Sequence, residues 1–331
     1  MAAGVADPSG DPVRGRPVRV DLGQGAERDH LKTLTTEEAF AAYEAVRGRL
    51  PPAGPPGAAR RIGSIEDVAD RFDVFLLDAF GVLNIGETAI PGVAARIERL
   101  RARGKRVLVV TNAAGYPHDL LMARYDRLGY SFDPADVVSS RATLSDAIGG
   151  HELGLCGLMV SRATGIGDFA SLRTLRLAEA PEDYARADRF VFLGSAEWSE
   201  TRQRLLEDAL RDRPRPVLVA NPDIVAPREN GFSIEPGYFA HRLADRSGAA
   251  PEFFGKPFGN IYDLAFRRCG PGIDKARVLM VGDSLHTDVL GAQTAGIASA
   301  LVTSHGFFAG GAVERWMDRS GIRPDFLLDH P

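Results

Sequence analysis

Short apolar runs alternate with helix-like segments along most of the chain. Each run spans three to five residues and ends at a polar residue or a glycine, and the segments between the runs are about a dozen residues long. Continuous apolar strands separated by helices of that length are typical of βαβ units, whose strands form a buried parallel sheet. The pattern therefore predicts an α/β protein with a Rossmann-like core. The predicted core strands are 74–77, 106–110, 277–281 and 298–302, with 326–328 as a final edge strand, and the predicted core helices are 64–71, 92–103, 117–128 and 286–295.

A second unit of the same kind interrupts this core. It contains three further strand-like runs and two helical segments, so we predict an inserted α/β cap domain over 146–248. The core domain is then formed by 58–145 together with 249–331. The predicted cap strands are 158–160, 190–193 and 217–219, and the predicted cap helices are 171–178 and 199–212.

The first 57 residues are interpreted as an extension. Residues 1–30 are rich in Gly, Pro, Arg and Asp and show no periodicity, which predicts disorder. Thr35 and Glu38 have the spacing of a capping box, and apolar residues follow on one face, so a helix is expected over 36–48. The proline-rich stretch 51–57 cannot continue that helix and is expected to be a linker.

Composition narrows the class of protein. The 331 residues are 44% hydrophobic and 25% charged, with a net charge of −4, which is typical of a globular protein and gives no basic field for nucleic acid. No apolar stretch approaches the roughly 18 residues that span a bilayer, so we expect no membrane partner and a cytoplasmic location. Only four of the 40 basic residues are lysines. A lysine that falls within a candidate functional motif is therefore less easily attributed to chance.

Polar residues follow the predicted core strands where each strand ends. Asp78, Thr111 and Asp283 stand at three such ends, Asp288 lies five residues beyond Asp283, and Lys256 lies within the string GKP. Side chains at the carboxyl ends of parallel strands converge on one crevice. Carboxylates, a hydroxyl and a fixed cation suit phosphoryl transfer, in which the protein mainly positions groups and neutralises charge.

These strings carry a resemblance to a known family. The sequence resembles the haloacid dehalogenase superfamily of phosphatases with a class II cap, in the branch of 4-nitrophenylphosphatases and N-acetylglucosamine-phosphate phosphatases. The matching strings occur in the family's order and cover about 62–331, with ANPD and a following glycine inside the insertion. They are DAFGVL (78–83), VTNA (110–113), ANPD (220–223), GKP (255–257) and GDSLHTD (282–288).

The resemblance implies a nucleophile and a metal site. Asp78 would attack phosphorus and become an aspartyl phosphate. The Asp78 carboxylate, the backbone carbonyl of Phe80 and the Asp283 carboxylate would hold Mg²⁺, and Asp288 would support these ligands by hydrogen bonding.

The resemblance also implies a phosphate site and a cap contribution. Thr111 and the backbone N–H of Asn112 would donate to the phosphoryl oxygens, and Lys256 would neutralise charge shared by the phosphate and the nucleophile. Three cap residues would face the cleft and contact the leaving group, although the string NPD equally suits a plain turn. These residues are Asn221, Asp223 and Arg228.

Phe80 departs from the family pattern. Phosphatases of the family usually carry a second Asp at this position, which protonates the leaving alcohol and later activates water. A phenyl ring does neither, and general acid–base catalysis typically contributes about 10²–10⁴-fold in rate. We therefore expect aryl or acyl phosphates to react better than alkyl phosphates, unless His286, Glu87 or Glu197 substitutes for the missing acid.

The favoured function is a Mg²⁺-dependent phosphatase that hydrolyses a small phosphorylated metabolite, either a sugar phosphate or an aryl or acyl phosphate. The alternative is a catalytically weakened protein that binds a phosphometabolite as a sensor or partner. Cleavage of a carbon–phosphorus or carbon–halogen bond is less favoured, because the chain has no lysine between Lys105 and Lys256 for imine chemistry in the cap. A homodimer is among the expected assembly states.

Overall fold

The computed structural model describes residues 34–228 and 231–331. The disorder predicted for residues 1–30 concerns a segment outside the described residues. The α/β fold with a parallel-sheet core is confirmed, and its strands, in chain order, are β1 (Arg60–Ile62), β2 (Val74–Leu77), β3 (Asn84–Ile85), β4 (Thr88–Ala89), β5 (Arg106–Thr111), β6 (Val137–Ser139), β7 (Cys156–Met159), β8 (Thr174–Arg176), β9 (Arg189–Phe192), β10 (Val217–Val219), β11 (Val225–Arg228), β12 (Gly231–Ile234), β13 (Glu252–Phe253), β14 (Val278–Gly282), β15 (Ala298–Val302) and β16 (Phe326–Leu328).

The α-helices follow the apolar spacing of the sequence, with several short 3₁₀ segments between them. The predicted helix 286–295 begins as a π-helix, Leu285–Val289, before it becomes α-helical. The α-helices are α1 (Thr36–Ala45), α2 (Val93–Ala102), α3 (His118–Arg127), α4 (Ser140–Ile148), α5 (Pro181–Arg186), α6 (Glu200–Asp212), α7 (Pro236–Ser247), α8 (Gly259–Cys269), α9 (Leu290–Ala295) and α10 (Glu314–Ser320).

Seven parallel strands form the core sheet, in the order β1-β16-β15-β14-β2-β5-β6. Successive residues of β2 and β5 pack on opposite faces. Leu77 and Val109 belong to a cluster with α2 and α3, whereas Leu76 and Leu108 belong to a cluster with α8 and α9. Because both faces are covered, the strands are apolar throughout, which is why they were recognisable in the sequence.

The edge of this sheet differs from the prediction. The strand at 326–328 exists but pairs on both sides, and β1 forms the edge beyond it. Its sequence, Arg60-Arg61-Ile62, carries two exposed arginines and no apolar run. Charged residues suit an edge strand and conceal it from a hydrophobicity pattern.

A second, smaller sheet lies between the two parts of the core in sequence. Its five parallel strands have the order β13-β10-β9-β7-β8, and the separate hairpin β11–β12 follows β10. The helix predicted over 171–178 is wrong, because β8 occupies its centre and pairs with β7. The pairing of the three β8 residues with β7 outweighs the local helical pattern, since tertiary contacts commonly override local propensity. β13 also belongs to this sheet, although it lies beyond residue 248, the predicted end of the cap. The domain boundaries stay predictions.

The helix α1 is packed against the rest of the molecule. Thr35 caps it as the sequence predicts, with its side chain accepting the N–H of Glu38 while the Glu38 carboxylate accepts the N–H of Thr35. The helix ends at Ala45, and Phe40 and Tyr43 are buried in one cluster with residues of the π-helix and of the hairpin β11–β12. This helix, within the predicted extension, therefore contributes to the hydrophobic core.

No helix in the described part of the chain is long and apolar enough to cross a membrane.

Candidate active site

The candidate site forms at the carboxyl ends of three neighbouring strands. β2 lies between β14 and β5, and Asp78 directly follows β2. Thr111 is the last residue of β5, and Asp283 directly follows β14. The register of the sheet therefore brings together residues that are more than 200 positions apart in sequence, as strand order at a parallel-sheet crevice requires.

Three buried carboxylates gather at this point. One oxygen from each of Asp78, Asp283 and Asp288 lies within 4.8 Å of the others. The Lys256 ammonium stands beside them, with Nζ 2.6 Å from Oδ1 of Asp78 and 2.7 Å from Oδ1 of Asp288. Lys256 is only 2% exposed, so these ion pairs are shielded from solvent.

Two glycines provide the space in which the carboxylates of Asp283 and Asp288 lie. A Cβ added at Gly306 would lie 1.8 Å from Oδ2 of Asp283, and one added at Gly282 would lie 2.0 Å from Cγ of Asp288. The Asp283 oxygen also accepts the N–H of Phe307 at 2.8 Å. Oδ2 of Asp288 accepts the N–H groups of Asp283 and Ser284, both at 3.1 Å. Backbone contacts on several sides therefore fix both carboxylates.

The charge in this cluster is unbalanced. Burial raises the pKa of Asp78 to about 7, with the Asp288 carboxylate adding to the rise and Lys256 opposing it. Burial and the neighbouring Asp288 and Asp78 carboxylates raise the pKa of Asp283 well above its usual value. Burial alone would lower the pKa of Lys256, but Asp288 and Asp78 outweigh it, so the ammonium stays charged.

The residues present fit a divalent cation. If all three carboxylates were ionised beside one ammonium, two negative charges would be left uncompensated in a buried site, which is costly without a counter-charge. Mg²⁺ supplies that charge and prefers oxygen ligands, usually a few carboxylates with water and phosphate. This is the one such group of carboxylates found in residues 34–228 and 231–331.

Asn112 takes a larger part than the sequence indicated. Its side-chain oxygen accepts the N–H of Lys256 at 2.7 Å, and its side-chain nitrogen donates to the carbonyl of Lys256 at 2.9 Å. The same nitrogen donates to Oδ1 of Asp223 at 2.7 Å. The sequence suggested only a backbone role for Asn112. The side chain connects the loop after β5, the loop around Lys256 (residues 254–258, the lysine loop) and the cap. No local sequence pattern indicated these contacts. Thr111 lies beside it, with its hydroxyl oxygen accepting the N–H of Ala113 at 3.2 Å.

Phe80 is engaged by two arginines. Its half-buried ring lies 5.4 Å from the guanidinium carbon of Arg124 on α3 and 5.3 Å from that of Arg228 on β11. Guanidinium groups at such distances interact favourably with an aromatic face. Phe80, at which the resemblance would place an acid, therefore forms a contact between the core and the hairpin.

The three suggested substitutes for the missing acid all have other partners. Nε2 of His286 lies 2.6 Å from Oε1 of Glu44. Glu87 accepts from Arg124 at 3.1 Å, and Glu197 accepts from Ser161 Oγ at 2.9 Å. These contacts join the three residues to Glu44, Arg124 and Ser161, none of which belongs to the carboxylate cluster.

The three cap candidates have different contacts within the protein, and their role toward a leaving group stays a prediction. Asn221 shapes a turn, because its Oδ1 accepts the N–H of Asp223 at 3.0 Å. Asp223 points to the core and meets Asn112. Burial raises its pKa well above the usual value, although the bond from Asn112 and the charge of Lys256 oppose this. Arg228 donates to Ser233 Oγ at 2.8 Å and lies over Phe80.

Fold and site together define an α/β enzyme with a carboxylate and lysine cluster at the carboxyl edge of a parallel sheet. Residues 75–163 match the model of the haloacid dehalogenase-like hydrolases, and residues 253–330 match a second, HAD-hydrolase-like model. The chain is also 30% identical to the glycerol-3-phosphate phosphatase of Gallus gallus over 280 residues, covering 78% of this chain and 89% of that protein. The chain belongs to the haloacid dehalogenase-like hydrolases, and the family predicted from the sequence is confirmed.

Solved structures agree with this assignment. A possible sugar phosphatase of the same superfamily from Cytophaga hutchinsonii superposes with a TM-score of 0.70 at 25% identity, covering 82% of this chain and 98% of that one. The glycerol phosphate phosphatase of Mycobacterium tuberculosis in complex with magnesium gives 0.62 at 25% identity, covering 80% of this chain and 76% of that one. Magnesium is therefore bound by a relative of the same fold.

Proposed function

We propose that the protein is a Mg²⁺-dependent phosphatase that hydrolyses a small phosphorylated metabolite by way of an aspartyl phosphate on Asp78. The observation that supports this best is the buried cluster of Asp78, Asp283 and Asp288 around Lys256 at the end of β2. An anionic nucleophile approaches an anionic phosphate only where cations reduce the repulsion between them. The cluster provides the nucleophile, one cation and the ligands for a second.

The proposed reaction has two steps. An oxygen of Asp78 bonds to phosphorus while the bond from phosphorus to the leaving oxygen breaks, and the leaving group takes a proton. Water then attacks the aspartyl phosphate, which releases inorganic phosphate and regenerates Asp78. Thr111 and the N–H of Asn112 hold the phosphoryl oxygens, and Lys256 balances the charge that passes between phosphate and carboxylate.

The carboxylates of Asp78 and Asp283 and the backbone carbonyl of Phe80 would hold Mg²⁺, with Asp288 fixing the surrounding N–H groups. Bound there, the ion polarises the phosphoryl group and neutralises part of its charge. Asp288 fits a supporting role, because its Oδ2 already accepts two backbone N–H groups and its Oδ1 pairs with Lys256.

Two substrate classes are proposed, sugar phosphates and aryl or acyl phosphates. The first is suggested by relatives that bear the names glycerol-3-phosphate phosphatase and acid sugar phosphatase. Phe80 favours substrates whose leaving group needs little help from an acid, such as aryl or acyl phosphates. A cytoplasmic location and a homodimer stay predictions.

Phosphate release from a panel of sugar, aryl and acyl phosphates, with Mg²⁺ and with EDTA, tests the proposal. We expect release with Mg²⁺ only and none from Asp78→Asn. Binding of a phosphometabolite by the wild-type protein without any release would favour the alternative, a sensor or partner protein. This alternative is retained because Phe80, which provides no proton, is in contact with two arginines.

A further inference from the structure

Tyr43 connects α1 to the loop that carries Asp223. The side chain is 2% exposed, and its hydroxyl oxygen accepts a hydrogen bond from the backbone N–H of Ile224 at 3.1 Å. The preceding residue, Asp223, accepts the side-chain amide of Asn112 at 2.7 Å. Asn112 in turn bonds the backbone of Lys256 on both its N–H and its carbonyl. Hydrogen bonds, joined by the peptide bond between Asp223 and Ile224, therefore connect the N-terminal helix to the lysine of the site.

We propose that Tyr43 is a positioning residue for the active site: through Ile224 and Asp223 it fixes the side chain of Asn112 and, with it, the lysine loop. The inference rests on the proposed function. It also assigns the helix α1, which lies ahead of both matched family segments, a part in the reaction.

The ring of Tyr43 is held rigidly enough for this role. It stacks on the imidazole of His286, with centroids 5.0 Å apart and an angle of 10° between the planes. Phe307 packs against it at 6.1 Å. His286 lies between Asp283 and Asp288 in sequence, and its Nε2 is 2.6 Å from Glu44 on the same helix α1. The phenol oxygen is therefore fixed relative to the segment that carries two of the three carboxylates.

The same N-terminal segment contacts the cap at a second place. Arg49, just beyond α1, forms an ion pair with Asp245 on α7. Its guanidinium also donates to the carbonyl of His241 on α7 at 3.4 Å. Residues 36–49 thus contact the segment 283–288, which carries two of the three carboxylates, and two parts of the cap. These contacts suit an element that sets the position of the cap relative to that segment.

Removing the phenol oxygen would leave the buried N–H of Ile224 without its partner. An unsatisfied buried donor is unfavourable, and a small relaxation of the loop that restores a partner for it would move Asp223. Phosphoryl transfer depends on position, so a shift of Asn112 and the lysine loop reduces transition-state binding more than ground-state binding. The carboxylates of Asp283 and Asp288 are also held by their own backbone contacts, so the series reaches the cluster only through Lys256.

The variant Tyr43→Phe tests the inference, with Tyr184→Phe as its matched control. Tyr184 is also buried, and its hydroxyl donates to the carbonyl of Ala178 at 2.8 Å within the cap. We expect Tyr43→Phe to lower kcat/KM for 4-nitrophenyl phosphate about 3- to 10-fold, as the loss of one hydrogen bond implies. Affinity for orthovanadate, which mimics five-coordinate phosphorus, should fall by the same factor. Mg²⁺ affinity should not change.

The double variant Tyr43→Phe with Asp223→Ala shows whether the effect passes through Asp223, because alanine has no oxygen to accept the bond from Asn112. In the Asp223→Ala background we expect Tyr43→Phe to add less than about 2-fold, because residues in one network couple. The inference is overturned if the two effects multiply independently, or if Tyr184→Phe costs as much activity as Tyr43→Phe. A wild-type protein that neither releases phosphate nor binds orthovanadate would instead overturn the proposed function, and this inference with it.

Discussion

The ammonium nitrogen of Lys256 lies 2.6 Å from a carboxylate oxygen of Asp78. Both side chains are buried, so the attraction between them is far less screened than at a surface. The lysine therefore has two functions in the proposed site. It offsets part of the charge that three carboxylates bring into the interior, and it stands where a phosphoryl group on Asp78 would carry negative charge.

Replacing Lys256 by methionine should reduce both activity and stability. We expect phosphate release to fall about 10²–10³-fold, the usual cost of losing one electrostatic contact to a transition state. Breaking a buried ion pair by removing one partner typically costs about 3–5 kcal/mol. Phosphate release and urea unfolding, with and without Mg²⁺, measure the two effects.

Lys105→Met is the matched control, because Lys105 pairs at 3.4 Å with the exposed carboxylate of Asp73. Such a surface pair contributes little to stability, and no activity should be lost. Equal losses of stability and activity in the two lysine variants would contradict the roles assigned to Lys256.

Phe80→Asp should increase the turnover of alkyl phosphates. The new carboxyl group would occupy the position of the family's acid, and general acid catalysis is worth about 10²–10⁴-fold. Arg124 and Arg228, which now lie over the ring, would hold the pKa of this carboxyl group low, so we expect a gain near the lower limit, about 10²-fold. The rates for glycerol phosphate and 4-nitrophenyl phosphate, compared in wild type and variant, measure it.

Phe80→Leu controls for the loss of the aromatic ring, because leucine keeps an apolar side chain and provides no proton. It should weaken the contact with both arginines and leave alkyl phosphates no better as substrates. A wild-type enzyme that hydrolyses alkyl and aryl phosphates equally fast would mean that another residue already donates the proton, and the expected gain in Phe80→Asp would then disappear.

The sequence predicted the features that depend on local pattern. Asp78 and Asp283 each follow a buried apolar run, and the convergence of strand ends in a parallel sheet brings them together without further information. Pairings between distant polar groups left no comparable sign. Asn112 and Asp223 are 111 residues apart, and Tyr43 looks like any aromatic residue on the apolar face of a helix. Their contacts are decided by how the cap and α1 pack on the core.

The Asp78 carboxyl group should lower the stability of the metal-free protein as the pH rises from about 4 to 7. The pKa of Asp78 is raised to about 7 in the folded state by burial, against about 3.9 in an unfolded chain. Between these values Asp78 binds more protons in the folded state than in the unfolded state, so its contribution to stability is lost as the pH rises. Burial lowers the pKa of His241 to about 4 and also lowers that of His286, so these two groups act in the opposite direction over part of the range. Thermal unfolding of wild type and Asp78→Asn in EDTA across this range isolates the contribution of Asp78.

Asp78→Asn should flatten the pH dependence, because the amide does not titrate. Mg²⁺ should also flatten it, since ligands must be deprotonated to bind a metal and the ion then stabilises the charged form. The exposed variant Asp318→Asn serves as the control and should retain the wild-type profile, because the ion pair of Asp318 with Arg323 is at the surface. The same pH profile in EDTA for wild type and Asp78→Asn would contradict the raised pKa of the buried Asp78.

Phe40→Ala should destabilise the whole protein, although the residue lies in the predicted extension. The side chain is fully buried and packs at 4.7 Å on Trp316 and at 5.1 Å on His286. Truncating a buried phenylalanine typically costs about 3–5 kcal/mol. Leu120→Ala, at an exposed position on α3, should cost less than about 0.5 kcal/mol. Urea unfolding of the two variants measures the difference. If Phe40→Ala unfolds within about 1 kcal/mol of Leu120→Ala, α1 contributes little to the core, and the rigid support proposed for Tyr43 is lost with it.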